Sequence, residues 1–164
     1  MIDVLIPVAP YDYIPDRVIQ AIDVSYRLIT HISETESENP DRIDRITNAR
    51  NYLRLQSTSE FVVCIDSDTI LFPGAIRQAI DLLTQLDGGM VGIPTHPWDV
   101  NRPDHVKLKA SVLLGDLTRQ IPFRHTKWWC ECLCFNLDLR LRGWNPIYLT
   151  TPHCCQVLDN RKRN

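Results

Sequence analysis

Apolar residues along this chain fall into short blocks of two kinds, and the order of the blocks outlines a fold. Val4-Leu5-Ile6 is an uninterrupted apolar run closed by Pro7, which cannot donate to a sheet, so it reads as a first strand leaving into a loop at Ala9-Pro10-Tyr11-Asp12. Asp16 is placed to cap a helix whose apolar positions Val18, Ile19, Ile22, Val24 and Tyr26 recur at roughly helical spacing. Arg27 to Ile32 follows as a second strand. The polar, acidic stretch from Ser33 to Asp41 is a surface connector, with Ser33 and Glu34 close enough to the strand end to reach a ligand. Ile43, Ile46, Ala49, Leu53 and Leu55, with Tyr52, describe an amphipathic helix carrying Arg45, Asn48, Arg50 and Asn51 on its more polar sides.

The strongest strand signal comes next. Phe61 to Ile65 is apolar throughout, runs directly into Asp66-Ser67-Asp68, and is stopped by Pro73-Gly74. A continuously apolar strand suits a parallel sheet covered on both faces, and ligands of open α/β sheets sit beyond the carboxyl ends of the strands. Asp66 and Asp68 fall there. Ile76, Ala79, Ile80, Leu83 and Leu86 predict a further helix ended by Gly88-Gly89, and Met90 to Pro94 another short strand. From Thr95 to Lys127 periodicity fades into loop corners around a weak strand at Lys109 to Leu114. Trp128 to Arg142 fits a strand by alternation and a helix by the spacing of Leu133, Leu137 and Leu141, so periodicity leaves it open. Ile147-Tyr148-Leu149 is a last short strand, and the charged tail from Asp159 a frayed end. The alternation of strands and helices predicts an α/β chain with a mostly parallel central sheet flanked by helices, in one compact domain over residues 1–164.

Composition changes this picture little. With 164 residues, 44% hydrophobic content and a formal net charge of -2, no whole-chain electrostatic argument points to nucleic acid as a partner. The N-terminal apolar run is far too short for a signal peptide or a membrane span, so no integral membrane segment is expected there. The 6 cysteines are then expected as reduced thiols of a cytoplasmic protein rather than a disulfide framework.

Two groups of residues carry candidate chemistry. Asp66 and Asp68, one residue apart at a strand end, can share a hard divalent cation such as Mn²⁺ or Mg²⁺ with phosphate oxygens; the same residues can equally start a turn or cap the next helix. Cys130, Cys132 and Cys134, with His153, Cys154 and Cys155, could supply a tetrahedral zinc site, although Cys-x-Cys-x-Cys lacks the usual spacer of structural zinc motifs and buried thiols are the competing reading. Cys64, inside the apolar strand, reads as structural. Trp98, Trp128 and Trp129 read as core packing, or as aromatic faces suited to a sugar.

The strand Val4-Leu5-Ile6-Pro7, the helical Ala49-Arg50-Asn51 and the apolar strand ending in Asp66-Ser67-Asp68 resemble the nucleotide-sugar-dependent glycosyltransferases of the GT-A fold, family 2-like, over about the first ninety-five residues. Later, Glu131, Leu137, Leu139, Arg140, Gly143, Trp144, Ile147, Tyr148 and His153 are similar to that family's C-terminal acid, helix, Gly-aromatic, strand and histidine succession. The resemblance implies a nucleotide-sugar-binding half over residues 1–95 and an acceptor-side half over 96–164. It implies that Asp68 binds the metal, that Asp66 contacts the ribose or the metal, and that His153 is a late metal ligand. Arg50 would lie near the diphosphate, and the backbone at Pro7, Val8 and Ala9 would line the nucleoside pocket. Glu131 would be the acceptor base, with Asp99, Asp104 and Asp138 as rivals, because Cys132 follows it where the family often has Asp. The implied reaction moves a sugar from a nucleoside-diphosphate sugar to a hydroxyl of a glycan, lipid or protein acceptor, with Mn²⁺ or Mg²⁺. Two other readings stay open: nucleotidyl transfer on a similar fold, and a non-enzymatic zinc or binding module built on the cysteines. Nucleotidyl transfer would favour a glycine-rich, basic loop after the first strand, and Ala9-Pro10-Tyr11-Asp12 is neither.

Overall fold

A computed structural model of the chain describes residues 1–10, 12–32, 42–86, 88–96, 98–102, 104–150 and, by backbone alone, 155–157. The elements are β1 (Ile2–Val8), α1 (Asp16–Gln20), β2 (Tyr26–Ile32), α2 (Arg42–Gln56), β3 (Phe61–Ile65), β4 (Thr69–Leu71), α3 (Ala75–Gln85), β5 (Met90–Gly92), a 3-10 turn (Asp99–Asn101), β6 (Ala110–Leu114), α4 (Gly115–Gln120), α5 (Glu131–Leu141), β7 (Ile147–Tyr148) and β8 (Cys155–Val157). The main sheet has the order β2-β1-β3-β6-β5-β7, and β4 pairs with β8 in a separate ribbon. β1 is parallel to β2 and β3, and β5 is parallel to β7; β6 alone runs antiparallel to both of its neighbours. The expected mostly parallel α/β sheet is therefore present, with one reversed strand inside it.

Side-chain alternation along the strands builds two cores, one on each face. Val4, Ile6, Val63, Ile65, Val91 and Val112 pack with Val18 of α1 and Ile76, Ala79 and Leu83 of α3. Leu5, Val62, Cys64, Met90 and Leu113 face the other way, against Leu53 of α2, Leu117 and Ile121 of α4, and Phe135 and Leu139 of α5. The inner strands β1, β3, β5 and β6 are thus buried on both faces, which is why their sequences carry continuous apolar runs, while edge strand β2 is half-exposed. Burial pushes the Cys64 thiol up to about 12, so it stays protonated and serves packing.

Several elements differ from the pattern-based expectation, each for a physical reason. β1 continues through Pro7 to Val8; its pairing with β3 ends at Leu5, so Pro7 lies where only β2 remains a neighbour and a missing N–H is tolerated. Pro15, not Asp16, stands at the N-cap of α1, and the helix stops at Gln20 because Tyr26 must pair with Ile2. Val24 and Tyr26 therefore lie outside it. The inward face of α2 is Thr47, Ala49, Arg50 and Leu53, while Tyr52 and Leu55 are exposed, so two polar residues occupy positions the apolar pattern did not assign to the interior. The weak strand is the buried centre of the sheet, β6. Between Trp128 and Arg142 the helix prevails, because Phe135 and Leu139, one turn apart, enter the same core. α4, β4 and β8 had no periodic signal at all; α4 starts at Gly115 directly from β6, where any side chain would collide with the Ser59 carbonyl.

The end of the sheet away from Asp66 is held by Asp3. This fully buried carboxylate accepts from Arg27 Nε at 2.7 Å and Nη2 at 2.8 Å, from the Ser57 hydroxyl at 2.9 Å, and from the Thr58 and Ser59 amides at 2.8 and 3.0 Å. Burial alone would raise its pKa, but the bonds from Arg27, Ser59, Thr58 and Ser57 outweigh it and hold the group well below the usual carboxylate range. No helix among the described residues is long and apolar enough to cross a membrane.

A folded-state pKa below the unfolded one means that Asp3 stabilises the fold above about pH 4 and that this contribution fades as the pH falls further. Asp3→Asn should cost about 2–3 kcal/mol at neutral pH, and the gap to wild type should shrink toward pH 3. Urea midpoints at pH 7 and pH 3 measure this; a gap independent of pH would mean that the charge on Asp3 is not what matters.

Candidate functional site

The site lies at the carboxyl ends of β1 and β3. Asp66 follows Ile65 directly, and because β6 is antiparallel, with Ile65 paired to Ala110, the start of β6 arrives at the same place. The Asp66 amide donates to the Lys109 carbonyl at 2.9 Å, which fixes the turn, and the Thr69 amide donates to the Asp66 carbonyl at 3.0 Å. Lys109 Nζ lies 2.9 Å from Asp68 Oδ1 and 3.1 Å from Oδ2, so one ammonium covers both oxygens of this carboxylate. The Thr69 hydroxyl donates to Asp68 Oδ1 at 3.2 Å, and Ser67 Oγ reaches Asp12 Oδ2 at 3.4 Å. Through Asp12 the loop leaving β1, with exposed Ala9 and half-buried Pro7, is brought against the Asp66-Ser67-Asp68 turn.

Arg50 organises the floor of the site. Its side chain projects from α2 and is only 3% exposed; Nη2 lies 2.5 Å from Asp66 Oδ1, and Nη1 makes an ion pair with Glu131 Oε1. Glu131, at the first turn of α5 and 5% exposed, also accepts from the Thr47 hydroxyl at 3.1 Å. Three elements therefore meet on one guanidinium. Arg50 Nε is buried without a partner among the described residues, so the two terminal nitrogens alone hold the group in place.

The residues that the sequence singled out divide accordingly. Arg50, Asp66 and Glu131 form one chain of contacts, Asp68 stands beside it on Lys109, and Pro7 to Ala9 line the neighbouring strand end. His153, Cys154, Ser33 and Glu34 lie outside the described residues, and of Cys155 only the backbone is described, in β8. Asp99 stands apart: its carboxylate caps a turn, accepting from the Thr95 amide and hydroxyl and pairing with Lys107 at 2.7 Å. Burial raises its pKa, but the bonds from Lys107 and Thr95 outweigh that and hold it low. Asp138 is tied to Arg124 at 2.8 Å on α5, and Asp104 is exposed. The tryptophans are not core: Trp128 is 80% exposed, and Trp98 and Trp129 are also on the surface, because all three sit on irregular segments outside the layers.

Lys109, Thr47 and Asp12 were not anticipated as site residues. A lysine immediately before a fully buried strand is a usable signal for Lys109, but only the antiparallel direction of β6 puts it beside Asp68.

No family model matches the chain, and no curated protein matches it. Solved structures do. The mannosyltransferase PcManGT from Pyrobaculum calidifontis, in complex with GDP-Man and Mn2+, superposes with a TM-score of 0.74 at 15% identity over 98% of this chain and 57% of that one. S. aureus TarS in complex with UDP-GlcNAc gives 0.70 at 12% identity over 99% and 59%. Glucosyl-3-phosphoglycerate synthase from Mycobacterium tuberculosis, with Mn2+ and UDP-Glc, gives 0.61 at 17% identity over 99% and 72%. The chain spans about three fifths of the length of the first two proteins. At these identities the likeness is one of fold, and the fold is that of the GT-A glycosyltransferases.

Removing Arg50 would strand a buried carboxylate. Arg50→Ala should destabilise the protein by about 3–5 kcal/mol, and adding Glu131→Gln should recover part of that loss. Denaturant midpoints of the two single variants and the double variant test it. Strict additivity would show that the Arg50–Glu131 pair is not made in solution.

Proposed function

We propose that the chain is a metal-dependent glycosyltransferase that moves a sugar from a nucleoside-diphosphate sugar to an acceptor hydroxyl. The observation that carries this reading is the Asp66–Arg50–Glu131 chain of contacts at the strand ends of a GT-A fold, with Asp68 beside it. It joins a strand-end acid suited to the donor to an acid suited to the acceptor. The GDP-Man and UDP-Glc complexes of the structural neighbours support the same substrate class.

The donor set suits a hard divalent cation. Asp66 and Asp68 offer only oxygen, each about a quarter exposed, and the Lys109 ammonium resting on both oxygens of Asp68 marks a carboxylate on which positive charge settles. Mn²⁺ or Mg²⁺ would be held by Asp68 and Asp66, with His153 as a further ligand, and when bound would supply Lewis-acid stabilisation of the departing diphosphate. The remaining work falls to the chain. The β1 exit at Pro7, Val8 and Ala9 lines the nucleoside pocket, and Arg50 turns toward the diphosphate as the donor enters. That movement releases Glu131 from its ion pair. Glu131 then takes the proton of the acceptor hydroxyl, the acceptor oxygen bonds to the anomeric carbon, and the electron pair of the broken bond leaves on the diphosphate. Donor binding thus prepares the base, so acceptor activation follows donor binding in time. Exposed Trp128 and Trp129, just before Glu131, offer aromatic faces to a sugar acceptor.

Thermal melts with UDP, GDP and their sugars, with and without Mn²⁺, test the reading. A true donor should stabilise the fold by about 2.7 kcal/mol at a hundredfold excess over its dissociation constant. The metal-dependent part of the shift should vanish in Asp68→Ala. No shift with any nucleotide in the presence of metal would remove the transferase reading, and a full metal-dependent shift in Asp68→Ala would move the metal elsewhere.

A further inference from the structure

Outside the transfer centre, the cysteine cluster has a partner that the sequence did not suggest. Cys134 is buried and turned toward the Trp129 carbonyl, away from the other two thiols of its motif. In its place His105, from the segment between β5 and β6, brings Nε2 to 3.2 Å from Cys130 Sγ. The ligand atoms of His105, Cys130 and Cys132 all lie within 4.8 Å of one another, and all three residues are half-buried. We propose that His105 Nε2, Cys130 Sγ and Cys132 Sγ form a binding site for a soft or borderline divalent ion, Zn²⁺ above all.

Geometry and chemistry agree on this. A tetrahedral zinc with Zn–S of about 2.3 Å and Zn–N of about 2.0–2.1 Å needs its ligand atoms roughly 3.5–3.8 Å apart, a spacing these three side chains reach by small rotations. The His105 side is built in advance. Asn136, fully buried on α5, donates to the Val106 carbonyl and accepts from the Val106 amide, both at 2.9 Å. The Tyr148 hydroxyl donates to the His105 carbonyl at 2.9 Å and accepts from the Lys107 amide at 2.9 Å, and the Leu108 amide donates to Cys132 Sγ at 3.4 Å. Asn136 and Cys132 of α5 and Tyr148 of β7 thus hold residues 105–108 from two elements, which fixes the histidine opposite the cysteines before any ion arrives.

Binding Zn²⁺ releases both thiol protons to solvent and takes the Nε2 lone pair, with the imidazole proton on Nδ1; two thiolates then cancel the charge of the ion. Both cysteines stand at the N-terminus of α5, where helix dipole and backbone amides favour thiolates. Three protein ligands leave the fourth position to water. The donor set also separates this site from Asp66 and Asp68: sulfur and imidazole select zinc, carboxylate oxygen selects Mn²⁺ or Mg²⁺. The proposal does not rest on the transferase reading.

Cobalt titration of the full chain tests it. Wild type should take up one equivalent with a thiolate-to-cobalt charge-transfer band and tetrahedral visible bands. Cys130→Ser and Cys132→Ser should lose the charge-transfer intensity, and His105→Ala should bind at least tenfold more weakly, whereas Cys134→Ser and Asp68→Ala should behave as wild type. In wild type, one equivalent of zinc should protect Cys130 and Cys132 from alkylation, read by peptide mass spectrometry, which needs no variant to fold. Absence of the band in wild type, its survival in Cys130→Ser, or alkylation of the pair unaffected by zinc would each overturn the proposal.

Discussion

A guanidinium buried to 3% exposure is a severe constraint on a chain of this size. Taking Arg50 out of water costs several kcal/mol unless carboxylates meet it with good geometry, so the fold is acceptable only where Asp66 and Glu131 both arrive. That requirement ties α2, the end of β3 and the start of α5 together from segments far apart in the sequence. Hydrophobic contacts would let α5 slide or rotate on the sheet at modest cost; a shared buried charge does not. The ion pairs therefore set the position of the site more tightly than the packing around them.

Charge at the site does not cancel. Asp12, Asp66, Asp68 and Glu131 carry four formal negative charges against the two positive charges of Arg50 and Lys109, so the site is formally -2 (2 − 4) before any ligand binds. A diphosphate entering such a site needs additional positive charge, and a divalent ion on the two strand-end acids is the economical source. Lys109 has a double role in this setting. It satisfies Asp68 in this structure, and under the proposed metal site its flexible stem would let it withdraw to solvent as the ion took its place.

How much of this could be read from sequence depends on whether the signal was local. Phe61–Ile65 and the acids after it were legible because a doubly covered strand must be apolar throughout and its end is where polarity returns. The helix over Ala75–Gln85 was legible from its spacing. The position of Arg50 in the ladder of contacts was not, since an arginine on an amphipathic helix reads as solvated until its partners are known, and Glu131 lies on another element. Lys109 was hidden by direction: nothing in Ala110–Leu114 says that this strand runs against its neighbours. The cysteine motif misled by regularity. Cys130, Cys132 and Cys134 alternate as on a strand, but a two-residue step on a helix turns Cys134 off the face of Cys132, only the extended backbone of Cys130 at the N-cap leaves its thiol near that of Cys132, and His105 comes from a segment with no periodic signal.

The first turn of α5 therefore borders both proposed centres, and the Arg50 guanidinium lies beside each. Glu131 pairs with Arg50 between two cysteines, and the contact with Cys130 and burial push the Cys132 thiol up, an effect the Arg50 guanidinium only partly offsets. A change at Arg50 should consequently disturb both the carboxylate and the thiols, whereas a change of the Lys109 side chain, whose ammonium pairs with Asp68, should leave the thiols alone. The two sites differ in what they demand of motion. On the proposed mechanism Arg50 must move from Glu131 to a diphosphate, while an ion on His105, Cys130 and Cys132 would pin the helix end that carries Glu131. A pinned helix end would hold the Glu131 backbone while its ion-pair partner moved, so that under the proposed mechanism the released carboxylate would stay toward the acceptor instead of following the guanidinium.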